Sequence, residues 1–140
     1  MQKILVVDDD FQSREIYLEL FRSKGYEVIP ADDGLEGLEL ALKDRPDLVF
    51  TGIIMPRMDG FEFIRNLRKN SVTAQVPVIM FSHLGREEDR EQARKLTDVE
   101  FMVKGIDGPL DILVAVKKLL LGESKAQGLP TDQRSPRTTF

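Results

Sequence analysis

Three features of the chain predict an α/β fold, a parallel sheet covered by helices on both faces. Short apolar runs alternate with amphipathic stretches of helical period along most of the sequence. Several runs are apolar at successive positions, the pattern of strands buried on both sides. The connections are short, and a right-handed crossover lays each helix back against the sheet.

The strands are expected at Ile4–Val7, Tyr26–Ile29, Leu48–Thr51, Val76–Phe81 and Val99–Val103. The first helix runs from about Phe11 to Lys24, with Ile16, Leu20 and Phe21 on one face and Gly25 as a C-terminal stop. Leu35, Leu38 and Leu42 mark the second helix, which Pro46 ends. Phe61, Ile64 and Leu67 mark the third, and Ile112, Leu113, Val116 and Leu120 the last. The stretch from Arg86 to Leu96 offers only Ala93 and Leu96 for burial, so this helix is expected to be the most mobile, or to meet a partner.

Composition narrows the functional classes. At 140 residues, 41% hydrophobic and 31% charged, the chain has the make-up of an ordinary globular domain. No apolar run approaches the ~18 residues of a membrane span. Ile4–Val7, followed at once by Asp8-Asp9-Asp10, is too short for the apolar region of a secretory signal, and a cytoplasmic location is expected. The absence of cysteine excludes a disulfide framework and a thiolate metal site; the single histidine, His83, excludes a polyhistidine one. A net charge of −4 argues against nucleic-acid binding. The folded domain is expected over 1–121. From 122 to 140 the composition turns to Ser, Thr, Pro, Gly and Gln, which reads as a disordered tail.

In open parallel sheets, ligands sit at the C-terminal ends of the strands. That rule selects Asp8 and Asp9 after strand one, Gly52 after strand three, Ser82 after strand four and Lys104 after strand five. Adjacent carboxylates at the end of a buried strand repel unless a cation neutralises them, and a hard divalent ion such as Mg²⁺ does so through oxygen ligands. Asp10 is the natural N-cap of the helix that follows. Ser82 can orient an oxyanion or cap a turn, and Lys104 emerges beside the acids. Acids, hydroxyl and ammonium together suit the handling of a phosphoryl group.

Five segments now resemble the receiver domain of bacterial response regulators, in order and at its spacing. They are Ile4-Leu5-Val6-Val7-Asp8-Asp9-Asp10, Pro46–Thr51, Met55-Pro56-Arg57-Met58-Asp59-Gly60-Phe61-Glu62, Pro77–Ser82 and Phe101-Met102-Val103-Lys104. The likeness covers Lys3 to about Leu121. It implies a flavodoxin-like (βα)5 doubly wound parallel sheet of strand order 2-1-3-4-5. In that family a sensor histidine kinase phosphorylates an aspartate at the end of strand three. The acyl phosphate then shifts helix 4 and strand 5. The resemblance makes Asp8, Asp9 and the backbone carbonyl of Ile54 the Mg²⁺ ligands, Ser82 the switch hydroxyl, Phe101 the switch aromatic and Lys104 the phosphate-contacting lysine. It places the partner, a sensor histidine kinase or a downstream output protein, on helix 4, strand 5 and helix 5.

The acceptor position holds Gly52, which has no nucleophile. This implies a pseudo-receiver, natural or silenced by a single substitution, that works by protein contacts and is not an enzyme. Three acids and a lysine carry −2 in the family; two acids and a lysine leave −1 here, so Mg²⁺ is expected to bind weakly or not at all. Thr51 and Asp59 are weaker candidates for acceptor, the first on the opposite side of its strand and the second in a turn. Gly105 stands where the family has proline after the lysine, and His83 where a smaller residue is usual. The alternative function is a small haloacid-dehalogenase-like phosphatase, with Asp8 as nucleophile and Asp10 as general acid. Gln12 and the lack of a late acidic pair after Lys104 argue against it. Flavin binding is excluded by three aspartates where a phosphate loop would be.

Overall fold

A computed structural model describes residues 1–122 of the chain. The expected tail, apart from Gly122, lies outside the described residues. Among the described residues ten elements alternate: β1 (Lys3–Val7), α1 (Phe11–Arg22), β2 (Glu27–Ala31), α2 (Gly34–Asp44), β3 (Leu48–Thr51), α3 (Gly60–Lys69), β4 (Val78–Ser82), α4 (Glu87–Arg94), β5 (Val99–Val103) and α5 (Pro109–Leu120). The five strands pair in parallel in the order β2-β1-β3-β4-β5, as the resemblance implies.

Alternation along each strand divides the core into two layers. Leu5, Val7, Val49, Val78 and Met80 pack with α3 and with Ala41 of α2 and Ala93 of α4. Ile4, Val6, Leu48, Phe50, Ile79, Phe81 and Met102 pack with Leu18 and Phe21 of α1 and Ile112, Val116 and Leu119 of α5. Tyr17, Phe21, Phe50 and Phe81 interlock on this second side, with ring centroids 5.0–5.4 Å apart.

Three helices start on aspartate. Asp10, Asp33 and Asp59 each accept a hydrogen bond from the backbone N–H three residues on, at 3.0, 2.9 and 2.9 Å, which satisfies one otherwise orphaned donor apiece. Asp59 is thus occupied as a cap, in line with its expected turn role. In α5, Pro109 opens the helix and Asp111 accepts from Gly108 N–H at 2.9 Å.

Several boundaries and faces differ from expectation. β2 runs two residues further, through Pro30, which an edge strand tolerates because β2 pairs only with β1. β4 begins at Val78 and includes Ser82, since Val76 and Pro77 lead in before the ladder starts. α1 ends at Arg22, and Gly25 lies beyond it at φ +91°. Ile16 faces solvent and Leu18 takes its place in the core. Leu42 is also partly exposed, while Gly37 and Ala41 make the close contact to the sheet. α4 buries Ala93 as expected, and in addition the side chain of Asp89.

Candidate functional site

The strand register builds the site. Val7 stands opposite Thr51, so the next residues, Asp8 and Gly52, emerge side by side, and Gly52 N–H donates to Val7 C=O at 2.9 Å. Ser82 stands opposite Val103, and Lys104 N–H donates to Ser82 C=O at 2.9 Å. The strand tips enclose an open cleft of about 350 Å³, lined by Asp8, Asp9, Asp10, Gly52, Ile53, Ile54, Ser82, His83, Leu84, Asp89 and Lys104. Asp8, Asp9, Gly52, Ile54, Ser82 and Lys104, all selected from the sequence, therefore share one pocket. Phe101 does not line it. It packs in the other layer, under the guanidinium of Arg90 at 4.8 Å.

Asp8 is 8% exposed, and one of its carboxylate oxygens accepts from Asp10 N–H at 3.0 Å. No donor among the described residues reaches its other oxygen. A buried carboxylate oxygen without a donor is what a bound cation satisfies. Asp9 lies exposed beside it. Among the described residues, no three acidic or histidine side chains gather into a cage. The residues therefore fit a divalent ion that keeps most of its water and takes two carboxylates, the mode that suits Mg²⁺.

Ser82 is 1% exposed and its Oγ accepts from Gly85 N–H at 2.8 Å, so it does cap the next turn. Its own proton has no acceptor among the described residues, and neither does the exposed ammonium of Lys104. After the lysine, Gly105 adopts φ +88°, a conformation closed to proline. His83 is exposed at the rim, edge-on to Phe81 at 5.8 Å.

Gly52 has room. A Cβ placed there would have Val7 C=O, at 3.8 Å, as its nearest neighbour, and the backbone is not left-handed. The contrast with Gly60 is sharp: there a Cβ would lie 2.2 Å from the Gly52 carbonyl oxygen. Glycine is a steric requirement at 60 and not at 52.

Sequence reasoning missed several paired charged side chains, of which Asp89 lines the cleft and Arg14 holds the Asp8 backbone. Buried Arg14 donates to Asp8 C=O at 2.5 Å and pairs with Asp32 at 3.2 Å. Asp89 lines the pocket and is held by Arg86 through bonds of 3.0 and 3.3 Å, a pair that its i,i+3 spacing on a helix could have suggested. Arg57, itself at φ +68°, holds Asp33 by two bonds of 2.7 and 3.2 Å. That contact keeps the Asp33 carboxyl below its ordinary pKa. Burial, and after it the Asp8 charge, pushes the Tyr17 phenol up.

Comparison with known proteins agrees with this geometry. Residues 4–117 match the model of the response regulator receiver domain. The chain is 32% identical over 120 residues to the DNA-binding dual master transcriptional regulator RpaA of Synechocystis, covering 86% of this chain and 49% of that protein. It is also 32% identical over 119 residues to sporulation initiation phosphotransferase F of Bacillus subtilis, covering 85% and 94%. It thus spans about half the length of the transcriptional regulators it resembles and nearly all of the smaller relative. Among solved structures, the chemotaxis response regulator CheY4 of Vibrio cholerae superposes with a TM-score of 0.77 at 30% identity, covering 85% of this chain and 98% of that one. Sequence, sheet order and site geometry agree, and the chain belongs to the response regulator receiver domain family.

Proposed function

We propose that this chain is a pseudo-receiver of two-component signalling, a module that acts through protein contacts and has lost the covalent switch. The observation that carries this reading is Gly52. It emerges beside Asp8 at the tip of β3, in one cleft with Asp9, Ser82 and Lys104, and brings no side chain to it. With no acyl phosphate to drive the change, the balance between conformations is set by sequence, partner binding or metal. Mg²⁺ binds weakly, through Asp8, Asp9 and the Ile54 carbonyl. Ser82, Phe101 and Lys104 remain as the machinery of a switch without a trigger.

The partner is a sensor histidine kinase or an output protein, docked on α4, β5 and α5. Leu110, Val114 and Leu121 support this choice, as large apolar side chains left exposed on or next to α5. The module spans 1–121 and works in the cytoplasm. It is not an enzyme: Asp10, which a phosphatase would use as general acid, is engaged in capping α1.

The test is incubation with Mg²⁺ and acetyl phosphate, followed by intact-mass measurement. The unaltered chain keeps its mass. In Gly52→Asp the new carboxylate oxygen attacks phosphorus, the bond from phosphorus to the acetyl oxygen breaks, acetate leaves, and the protein gains one phosphoryl group. An adduct on the unaltered chain would mean that another residue accepts the group.

A further inference from the structure

The cleft contains a mismatch of its own. On one side, the second oxygen of buried Asp8 has no donor, and Asp9 carries a further negative charge. On the other, the Ser82 hydroxyl proton and the Lys104 ammonium have no acceptor among the described residues. Between them is the open space over Gly52, where the first atom met is 3.8 Å away. Buried polar groups such as Asp8 and Ser82 are rarely left in such a condition, and exposed Asp9 and Lys104 line the same cavity.

A single ion does not resolve both. A cation alone answers Asp8 and Asp9 but leaves the hydroxyl and ammonium unmatched. An anion alone meets Ser82 and Lys104 but shares the cleft with the like charges of Asp8 and Asp9. The remaining acids of the lining are already engaged, Asp10 with Ser13 N–H and Asp89 with Arg86. Two carboxylates, one divalent cation, one ammonium and one monoanion sum to zero charge.

We propose that the space over Gly52 is a binding site for a free small carboxylate of the size of formate or acetate. It enters together with a divalent cation and accepts from Lys104 and Ser82. A cleft of about 350 Å³ has ample room, since a water occupies ~30 Å³. Because the two ligands neutralise each other, each strengthens the binding of the other by the same factor. The inference rests on the reading of Gly52 as a vacated acceptor position for its choice of ligand. Failure of that reading would show as a phosphoryl adduct on the unaltered chain, and failure of this one shows in the titrations below.

The test is calorimetric titration of the full chain with Mg²⁺, in chloride and in acetate at matched ionic strength. Acetate is expected to tighten Mg²⁺ binding about fivefold or more in the unaltered chain. Gly52→Asp supplies its own carboxylate, so it binds Mg²⁺ without acetate and gains nothing from it; Lys104→Met loses the acetate effect. A second measurement does not depend on any variant folding. With Mg²⁺ present, acetate shifts the backbone amide resonances of Gly52, Ser82 and Lys104 in the unaltered chain, and without Mg²⁺ it does not. Equal Mg²⁺ affinity in the two salts, an acetate effect that survives in Gly52→Asp, or shifts that ignore Mg²⁺ would overturn the proposal.

Discussion

The guanidinium of Arg90 lies 4.8 Å from the centre of the Phe101 ring and ties α4 to β5. α4 has few other attachments: it is eight residues long and buries only Asp89 and Ala93. A partly exposed cation over a ring contributes about 0.5–1 kcal/mol. For so short a helix that is a large share of its hold on the sheet.

Arg90→Ala is therefore expected to speed amide hydrogen exchange across Glu87–Arg94 by roughly two- to fivefold, the factor that this energy corresponds to. Arg90→Lys should recover part of the protection, because a lysine ammonium retains the charge. Exchange in α1, on the opposite layer, should stay as it was. Equal protection of α4 in the alanine variant would show that the contact does not hold the helix.

Gly52, just after β3, and Gly60, the first residue of α3, are expected to respond in opposite directions. Gly60→Ala forces a methyl to within 2.2 Å of the Gly52 carbonyl and 3.0 Å of Ile53 Cα, both of them backbone. Overpacking of this kind costs about 1–3 kcal/mol. Gly52→Ala meets nothing closer than 3.8 Å, so it mainly reduces the freedom of the unfolded chain and stabilises by about 0.4–1 kcal/mol. Urea unfolding of the two variants, compared at constant slope, measures both.

What the sequence made legible follows from short-range rules. Runs such as Ile4–Val7 and Leu48–Thr51 are buried on both sides, so their type and place were readable from apolar content alone. With the strand tips located, the residues after them had to meet, and Asp8, Gly52, Ser82 and Lys104 do. The errors arise where tertiary packing decides. Ile16 and Leu18 are both apolar but, two residues apart, point to nearly opposite sides of α1, and only the sheet's position settles which side is buried. Ion pairs such as Asp33 with Arg57, 24 residues apart, leave no local trace. Only the family likeness singles out Phe101; no periodicity distinguishes it from any other partly buried aromatic.

The Asp33–Arg57 contact carries a pH dependence of known sign. The Arg57 hydrogen bond lowers the Asp33 pKa in the folded state. A depressed carboxylate contributes stability at pH above its unfolded value of about 3.9, and this is lost as pH falls through the folded value. Arg57→Ala should therefore be less stable than the parent at pH 7, and the gap should begin to narrow below about pH 4 and close as pH falls through the lowered folded value. Asp33→Asn, which keeps an acceptor for the α2 cap, should behave like Arg57→Ala. Denaturant midpoints at neutral and acid pH compare the three; a gap that is independent of pH would mean that Arg57 acts through packing and not through charge.

Tyr17 offers a titratable probe of the cleft. Its phenol is raised first by burial and then by the Asp8 carboxylate, so removing that charge removes only the smaller cause. In Asp8→Asn the tyrosine should ionise at lower pH than in the parent, yet still above the ordinary value of about 10, as followed by near-ultraviolet absorbance. The sign extends to stability. A neutral phenol favoured by folding contributes fully below the unfolded pKa, and its contribution is lost as pH rises through the folded one. The alkaline decline of the parent should thus be attributable in part to Tyr17, and Tyr17→Phe should flatten it, since phenylalanine retains the ring contacts with Phe50 and Phe81. If Asp8→Asn leaves the tyrosine titration unmoved, the Asp8 charge does not act on the phenol, and burial alone raises it.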